Sequence, residues 1–136
     1  MVVVYLVWHV FLRARPTVAP ATDPRFPETL LVSKGADECL VQVDRVQHVS
    51  AAGNYVDIHA GDQTYLMRAT MRQVEELLPS PMFVRIHRSH LVNINDIERI
   101  RVGRSGSGTV QLRGGKTLAL SRKYRAALQK FRPQLH

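Results

Sequence analysis

The segment MFVRIHRSHLVNIN, residues 82–95, combines the two patterns on which the fold and the function of this chain depend. Its apolar side chains can anchor it in a protein core: Phe83, Ile86, Leu91, Val92 and Ile94. Between them lie hydrogen-bond donors with no nearby carboxylate to neutralise them: Arg85, His87, Arg88, Ser89, His90, Asn93 and Asn95. The pattern favours contacts to phosphates or bases by the Arg, His and Ser side chains, and a turn role for the two asparagines. The simpler alternative is an exposed strand whose Arg and His side chains only solvate the surface.

Short strands separated by turns surround this segment. Polar and apolar side chains alternate from Tyr55 to His59, which is the period of two that is typical of a half-buried strand. Turn-forming residues such as Lys34-Gly35-Ala36-Asp37 separate the strands. Strands are predicted over residues 30–33, 39–43, 46–50, 55–59, 64–68, 82–86, 96–102, 109–113 and 117–120. The sequence therefore predicts a mainly β fold.

Two short helices complete the predicted fold, at about residues 70–78 and 122–131. Thr70 and Gln73 form a capping box at the start of the first helix, and Pro79 ends it. Ser121 is expected to cap the second helix, and Pro133 ends it.

The positive charge is concentrated in the C-terminal half of the chain. Residues 1–66 carry five basic and seven acidic side chains, a balance of −2, whereas residues 67–136 carry fourteen basic and four acidic ones, a balance of +10. This asymmetry indicates a polyanionic partner, either nucleic acid or an anionic membrane. A basic surface that serves only solubility is the simpler alternative.

Fragments that mimic catalytic or metal-binding motifs lack residues that the chemistry needs. Gly114-Gly115-Lys116-Thr117 resembles the end of a phosphate-binding loop, but Val110 stands where that loop requires a glycine. No further ligands accompany His87 and His90 at metal-binding spacing. Residues 103–108, GRSGSG, are interpreted as a flexible hairpin loop. The sequence predicts no catalysis, no metal site and no cofactor.

Two further segments are candidate nucleic-acid contacts. Ser121-Arg122-Lys123-Tyr124-Arg125 opens the second helix, where backbone N–H groups and three basic side chains attract phosphate. Base recognition by Arg122 and simple solvation of this helix start remain alternatives. Gly53-Asn54-Tyr55 is the other candidate, although a Gly-Asn turn alone indicates only a hairpin.

The N-terminal region differs in composition from the rest of the chain. Residues 1–15 form an apolar stub with a basic flank, Arg13-Ala14-Arg15. As a helix, residues 2–12 would span roughly 16 Å, about half of a bilayer core. The stub is interpreted either as the end of a transmembrane segment or as an extra element packed on the domain. Four prolines in residues 16–27 predict a stiff linker, which places the domain at 28–136.

Three motifs together resemble the LytTR-type DNA-binding domain, the output module of many bacterial transcriptional regulators. Gly53-Asn54-Tyr55 matches the first hallmark of that family, and Ser121-Arg122 matches the last. The middle hallmark, Phe-x-Arg-x-His-x-Ser-x-x-Val-Asn, is matched at every position, by Phe83, Arg85, His87, Ser89, Val92 and Asn93. The resemblance covers about residues 28–132.

The resemblance implies an elongated β-sheet or sandwich domain with small flanking helices. Loops and strand edges of the family enter successive major grooves of double-stranded DNA, often at direct repeats that a homodimer would occupy. Carried over by position, the base-contact candidates are Arg88, Arg122, Asn54 and Tyr55. The phosphate-contact candidates are Arg85, His87, Ser89, Lys123 and Ser121. A receiver domain often precedes this module, whereas other members carry transmembrane helices, which would agree with the stub.

The expected function is sequence-specific recognition of double-stranded DNA by a cytoplasmic transcription regulator, with a tether to the inner membrane through residues 1–15 left open. An RNA-binding β domain, which stacks single-stranded bases on aromatic side chains, is one alternative. A basic module that binds a membrane surface or another protein is the second.

Overall fold

A computed structural model describes residues 26–80 and 82–129 of the chain. Ten strands run as β1 Thr29–Lys34, β2 Asp37–Gln42, β3 Val46–Ala52, β4 Tyr55–Ala60, β5 Gln63–Met67, β6 Phe83–His87, β7 His90–Asn93, β8 Ile97–Val102, β9 Gly108–Leu112 and β10 Thr117–Leu120. Two helices are present in this part of the chain, α1 Met71–Leu77 and α2 Arg125–Gln129. The predicted mainly β fold with two short helices is confirmed.

The strands form two antiparallel sheets. The larger sheet has seven strands in the order β2-β1-β5-β4-β3-β7-β6, and the smaller has three in the order β10-β9-β8. Turns connect most sequence neighbours, so the hairpins predicted at Gly35 and Gly53 are both formed. Three steps do not join neighbouring strands: the chain passes from β2 to β3 across the large sheet, from β5 to β6 through α1, and from β7 in the large sheet to β8 in the small one.

The β6–β7 hairpin contributes side chains to two separate hydrophobic cores. Phe83 and Leu91 belong to the core that α1 shares with the large sheet, where they pack with Val74 among others. On the opposite face, alternate residues pack against the three-stranded sheet: Val84, Ile86 and Val92. Because neighbouring residues of a strand point to opposite faces, a strand that is buried on both sides must be apolar in consecutive positions. The hairpin therefore joins the two sheets.

Helix α1 begins where the sequence predicted it to begin. The backbone N–H of Gln73 donates to Thr70 Oγ1 at 3.1 Å, and the backbone N–H of Thr70 donates to Gln73 Oε1 at 2.9 Å. This reciprocal pair is the predicted capping box. Met71 and Val74 bury the inner face of the helix against the large sheet.

The second helix differs from its prediction in two ways. Residues Arg122–Tyr124 form a 3₁₀ turn, and only Arg125–Gln129 are α-helical. The Ser121 side chain makes no capping hydrogen bond, so the prediction of a serine cap is wrong. The Ser121 backbone N–H instead donates to Ile86 O at 2.7 Å, which anchors the turn to β6. A tertiary hydrogen bond thus replaces the local cap.

A separate strand, β7, occupies His90–Asn93, which the predicted strands did not include. The predicted turn follows β7 and depends on Asn93, as expected: its Oδ1 accepts from the Asn95 N–H at 2.9 Å. The Asn93 side chain is also buried, and its Nδ2 donates to Val46 O at 3.1 Å. Asn93 therefore ties β7 to the start of β3, in addition to shaping the turn.

The apolar stub, residues 1–15, and most of the Pro-rich linker, residues 16–27, lie outside the described residues. Within the described residues, no helix has the length and apolar character needed to cross a bilayer.

His48 on β3 is buried without a hydrogen bond. It is 3% exposed, and neither ring nitrogen has a partner among the described residues. Its ring stacks on His59 of β4, with centroids 3.9 Å apart and planes 10° from parallel. Burial, reinforced by the nearby His59, Lys116 and His90, lowers the pKa of His48 to about 3. The folded protein therefore favours the neutral imidazole.

We expect this burial to make the fold sensitive to mild acid. An unfolded histidine takes up a proton near pH 6.5, whereas folded His48 resists protonation down to about pH 3. The contribution of neutral His48 to stability is complete above pH 6.5. It is lost progressively as the pH falls from about 6.5 towards about 3. Between about pH 7.5 and about pH 5, the wild type should lose about 2 kcal/mol more unfolding free energy than His48→Leu. Urea unfolding at the two pH values measures this difference, and equal losses would contradict it.

Candidate nucleic-acid interface

Two hairpin tips lie side by side at one end of the large sheet. Strands β3 and β7 pair antiparallel with Ser50 opposite His90, and the Ala51 N–H donates to Ser89 O at 2.9 Å. The β3–β4 tip, Gly53-Asn54, and the β6–β7 tip, Arg88-Ser89, follow directly from these paired positions. The structure therefore brings together two motifs that are far apart in the sequence.

The third motif joins the same end of the sheet. The hydrogen bond from the Ser121 N–H to Ile86 O places the turn Ser121-Arg122-Lys123 beside the last residues of β6. Tyr124 of this turn lies under the guanidinium of Arg85, with 5.4 Å from Cζ to the ring centroid. One surface, called the tip surface below, thus combines the β3–β4 tip, the β6–β7 tip and the turn after β10.

The candidate base contacts are accessible on the tip surface. The side chains that the structure leaves exposed there are those of Asn54, Tyr55, Arg88, Arg122 and Lys123. Ser89, His87 and Ser121 are half-buried between them. Among the described residues, no carboxylate lies within ion-pair distance of Arg88, Arg122 or Lys123. The surface therefore presents unpaired positive charge to its surroundings.

Arg85 is directed into the protein. Its Nη2 donates to Arg88 O at 2.7 Å, and its Nε donates more weakly to His87 O at 3.4 Å. Nη1 lies 3.6 Å from a carboxylate oxygen of Glu75 on α1, and the side chain is only 18% exposed. These contacts hold the backbone of the β6–β7 tip. Arg85 is thus a positioning residue for the tip, and its expected phosphate contact stays a prediction.

His87 also shapes the tip. Its Nδ1 accepts from the Ser89 N–H at 3.1 Å, so the proton of the neutral ring belongs on Nε2. Nε2 is therefore the ring nitrogen that can donate a hydrogen bond to a phosphate oxygen.

The ring of His90 lies beside that of His87, with centroids 5.3 Å apart, and His90 Nδ1 lies 3.3 Å from Ser50 Oγ. Burial lowers the pKa of His90, with the neighbouring His87 as a further cause.

One neighbour of Arg122 was not among the predicted site residues. Gly106, in the β8–β9 loop, lies against the Arg122 side chain, and a Cβ there would be 3.0 Å from Arg122 Cγ. The sequence of residues 103–108 by itself predicts only a flexible hairpin loop. No local pattern indicates the contact, because it forms only when β10 brings Arg122 alongside the loop.

Two depressions of the described surface are lined by other residues than those of the tip surface. One depression is lined by α1 and the segment before it, including Met67 and Gln73, and another by β8–β10 residues, including Arg99 and Arg101. Among residues 26–80 and 82–129, no group of three or more His, Cys, Asp or Glu side chains is placed to hold a metal ion. The candidate residues with exposed side chains lie in or beside turns between strands, which suit contact with an extended partner.

Comparison with known proteins identifies the family. Residues 37–132 match the model of the LytTr DNA-binding domain, so this chain belongs to the LytTR family of DNA-binding domains. The sequence is 29% identical over 92 residues to sensory transduction protein LytT of Bacillus anthracis, and 34% identical over 92 residues to transcriptional regulatory protein BtsR of Escherichia coli. These matches cover 68% and 66% of this chain, but only 37% of each relative.

A solved structure has the same fold. The LytTr DNA-binding domain of a Bacillus cereus protein superimposes with a TM-score of 0.71 at 22% sequence identity, over 76% of this chain and 95% of that one. The family resemblance found in the sequence motifs is therefore confirmed, together with the fold that it implied.

Replacement of Arg85 should separate a positioning role from simple surface charge. A charge-assisted hydrogen bond such as the one to Arg88 O stabilises a fold by about 1.5–3 kcal/mol. We expect Arg85→Met to lower the unfolding free energy by about that amount and to speed amide hydrogen exchange in the β6–β7 tip. Chemical denaturation and exchange measured by NMR test both effects.

Arg72→Met is the matched control for this measurement. Arg72 pairs with Glu76 at 3.8 Å on the exposed face of α1, with side chains 86% and 71% exposed. Such surface pairs contribute about 0–1 kcal/mol, so the control should change stability little. Equal, small losses in the two variants would show that Arg85 does not hold the tip.

Proposed function

We propose that this chain is a sequence-specific, double-stranded DNA-binding transcription regulator that contacts successive major grooves through the tip surface. Its membership of a family of DNA-binding domains supports DNA as the partner. Two of its relatives are named as a transcriptional regulatory protein and a sensory transduction protein, which supports the regulatory role. The observation that carries the proposal is the convergence of three distant motifs on one accessible, positively charged surface.

Base recognition is assigned to the exposed side chains of the tip surface. A guanidinium group can donate two hydrogen bonds to guanine O6 and N7, which suits Arg88 and Arg122. An asparagine amide can pair with adenine N6 and N7, which suits Asn54. Tyr55 follows Asn54 with 43% of its surface exposed, and can pack its ring against a base or a thymine methyl group. These contacts would supply the sequence preference.

Phosphate contacts are assigned to the residues between and beside these side chains: His87, Ser89, Ser121 and Lys123, with assistance from Arg85. Hydroxyl, imidazole and ammonium donors of this kind fix the register of a protein on DNA without reading its sequence. About four to eight such contacts would make the logarithm of the affinity fall with the logarithm of the salt concentration at a slope of roughly −4 to −7. Steep salt dependence is thus part of the proposal.

Two copies of the chain on repeated sites complete the proposal. A direct repeat spaced by about one helical turn would place both copies on the same face of the duplex. Binding to DNA places the domain in the cytoplasm, and a membrane tether through residues 1–15 stays a prediction because those residues are not described.

Substitutions on the tip surface should separate base from phosphate contacts. The probe is a duplex selected from a random library by the full chain, compared with a scrambled duplex of the same composition. Arg88→Ala and Arg122→Ala should each lose about 1–3 kcal/mol of discrimination between the two duplexes. Lys123→Ala should weaken binding to both duplexes by similar factors. Fluorescence anisotropy at two salt concentrations measures the affinity of the wild type and of each variant for both duplexes.

Arg45→Ala controls for the loss of one positive charge. Arg45 is exposed at the start of β3, at the opposite end of that strand from the tip, and should have little effect on either duplex. Selection that enriches no sequence motif would refute specific recognition of DNA. Tighter binding to single-stranded RNA, or to anionic lipid vesicles, would favour the RNA-binding or the membrane-surface alternative.

A further inference from the structure

The β8–β9 loop, residues 103–108, has a defined conformation. The Gly103 N–H donates to Ser107 O at 2.8 Å, and the Gly106 N–H donates to Gly103 O at 3.1 Å. The hydroxyl groups of Ser105 and Ser107 lie 2.9 Å apart. Three internal hydrogen bonds within six residues give this hairpin loop a defined turn conformation in the structure.

The loop projects from the small sheet next to the tip surface. Gly108 pairs with Leu120 on β10 and with Val102 on β8. Because Ser121 and Arg122 directly follow Leu120, the loop emerges beside the turn that carries Arg122. The loop and the tip surface therefore lie next to each other.

The aliphatic part of Arg122 lies across Gly106. Gly106 is buried, and a Cβ at its position would be 3.0 Å from Arg122 Cγ and 3.2 Å from Cδ. Its φ of +92° is also in a region that L-residues with side chains rarely adopt. The glycine thus provides the space that the Arg122 side chain occupies. A long side chain whose stem is packed in this way loses less conformational freedom when its head binds a ligand.

Arg104 adds an exposed positive charge two residues from this contact. It is exposed, and no carboxylate of the described residues lies within ion-pair distance of it. Two residues of chain span at most about 7 Å, so a phosphate next to the group that Arg122 contacts is within reach of the long Arg104 side chain. The loop therefore combines a surface that positions one arginine with a second arginine that is free to bind.

We propose that the β8–β9 loop is a fourth part of the DNA interface, in which Gly106 positions Arg122 for base recognition and Arg104 contacts a neighbouring phosphate. This inference rests on the proposed DNA-binding function. It adds a specificity-determining glycine and a phosphate contact that the three sequence motifs do not include. Gly106 would act by leaving space for the Arg122 side chain, and Arg104 would act by its positive charge.

Gly106→Ala tests the positioning role. The added methyl group should displace the Arg122 side chain, so the variant should lose about five-fold or more of its discrimination between the selected and the scrambled duplex, the lower end of what one bidentate contact supplies. In a chain that already carries Arg122→Ala, the same glycine substitution should cause no further loss of discrimination. Such non-additivity is expected only if Gly106 acts through Arg122.

Gly115→Ala is the matched control for backbone strain. Gly115 has a φ of +95°, close to that of Gly106, but a Cβ there would meet nothing within 4 Å. Both alanine variants should therefore be destabilised to a similar degree, whereas only Gly106→Ala should lose discrimination. Thermal unfolding and anisotropy with the two duplexes measure the two effects in the same samples.

Arg104→Ala tests the phosphate contact and does not depend on the folding of the glycine variant. It should weaken binding to both duplexes by similar factors and reduce the salt slope by about one. If Gly106→Ala and Gly115→Ala discriminate equally well between the two duplexes, the positioning role is overturned. If Arg104→Ala and Arg45→Ala have the same affinities and the same salt slope, the phosphate contact is overturned. If the wild-type chain itself does not discriminate between duplexes, the proposed function fails, and the loop is not the cause.

Discussion

Burial of the β6–β7 hairpin on both of its faces is the constraint on which the rest of the structure depends. Phe83 and Leu91 enter the core with α1, while Val84, Ile86 and Val92 enter the core with the small sheet. A slip of one residue in the register would exchange the two faces of the hairpin. Polar side chains such as Arg85 would then turn towards the core that now holds Val84, Ile86 and Val92. Because both cores would be lost together, the register of the hairpin is strongly specified. The hairpin thereby fixes the position of its own tip.

The same constraint assembles the candidate interface. Pairing of β7 with β3 brings the Gly53-Asn54 tip beside Arg88-Ser89, and the hydrogen bond from Ser121 to Ile86 adds the turn after β10. Rigid strands hold each of the three segments at its base, while the exposed turns carry the side chains that would bind. Recognition sites built on a rigid scaffold need little reordering when the ligand arrives. The tip surface depends on the integrity of both cores.

The arginines of this region divide into two groups with different partners. Arg85 donates to the carbonyl oxygens of the tip and lies near Glu75, so its charge is used within the protein. Arg88, Arg104 and Arg122 have no carboxylate partner among the described residues and keep their donors for a ligand. An identical side chain therefore stabilises the scaffold in one position and is available for binding in the others. Local burial and the direction of the side chain decide which role it takes.

The sequence by itself determined the features that depend on neighbouring residues: the alternation of the strands, the capping box of Thr70 with Gln73, and the motifs that identify the family. Only the tertiary structure decided which of the candidate residues meet and what Arg85 contacts. It also replaced the predicted cap of Ser121 with a hydrogen bond to β6, and placed Gly106 under Arg122. The physical reason is the distance along the chain over which each interaction acts. Periodicity and capping act over a few residues, so the sequence shows them directly. The other contacts join segments that are distant in the chain, and they form only when the two sheets pack together.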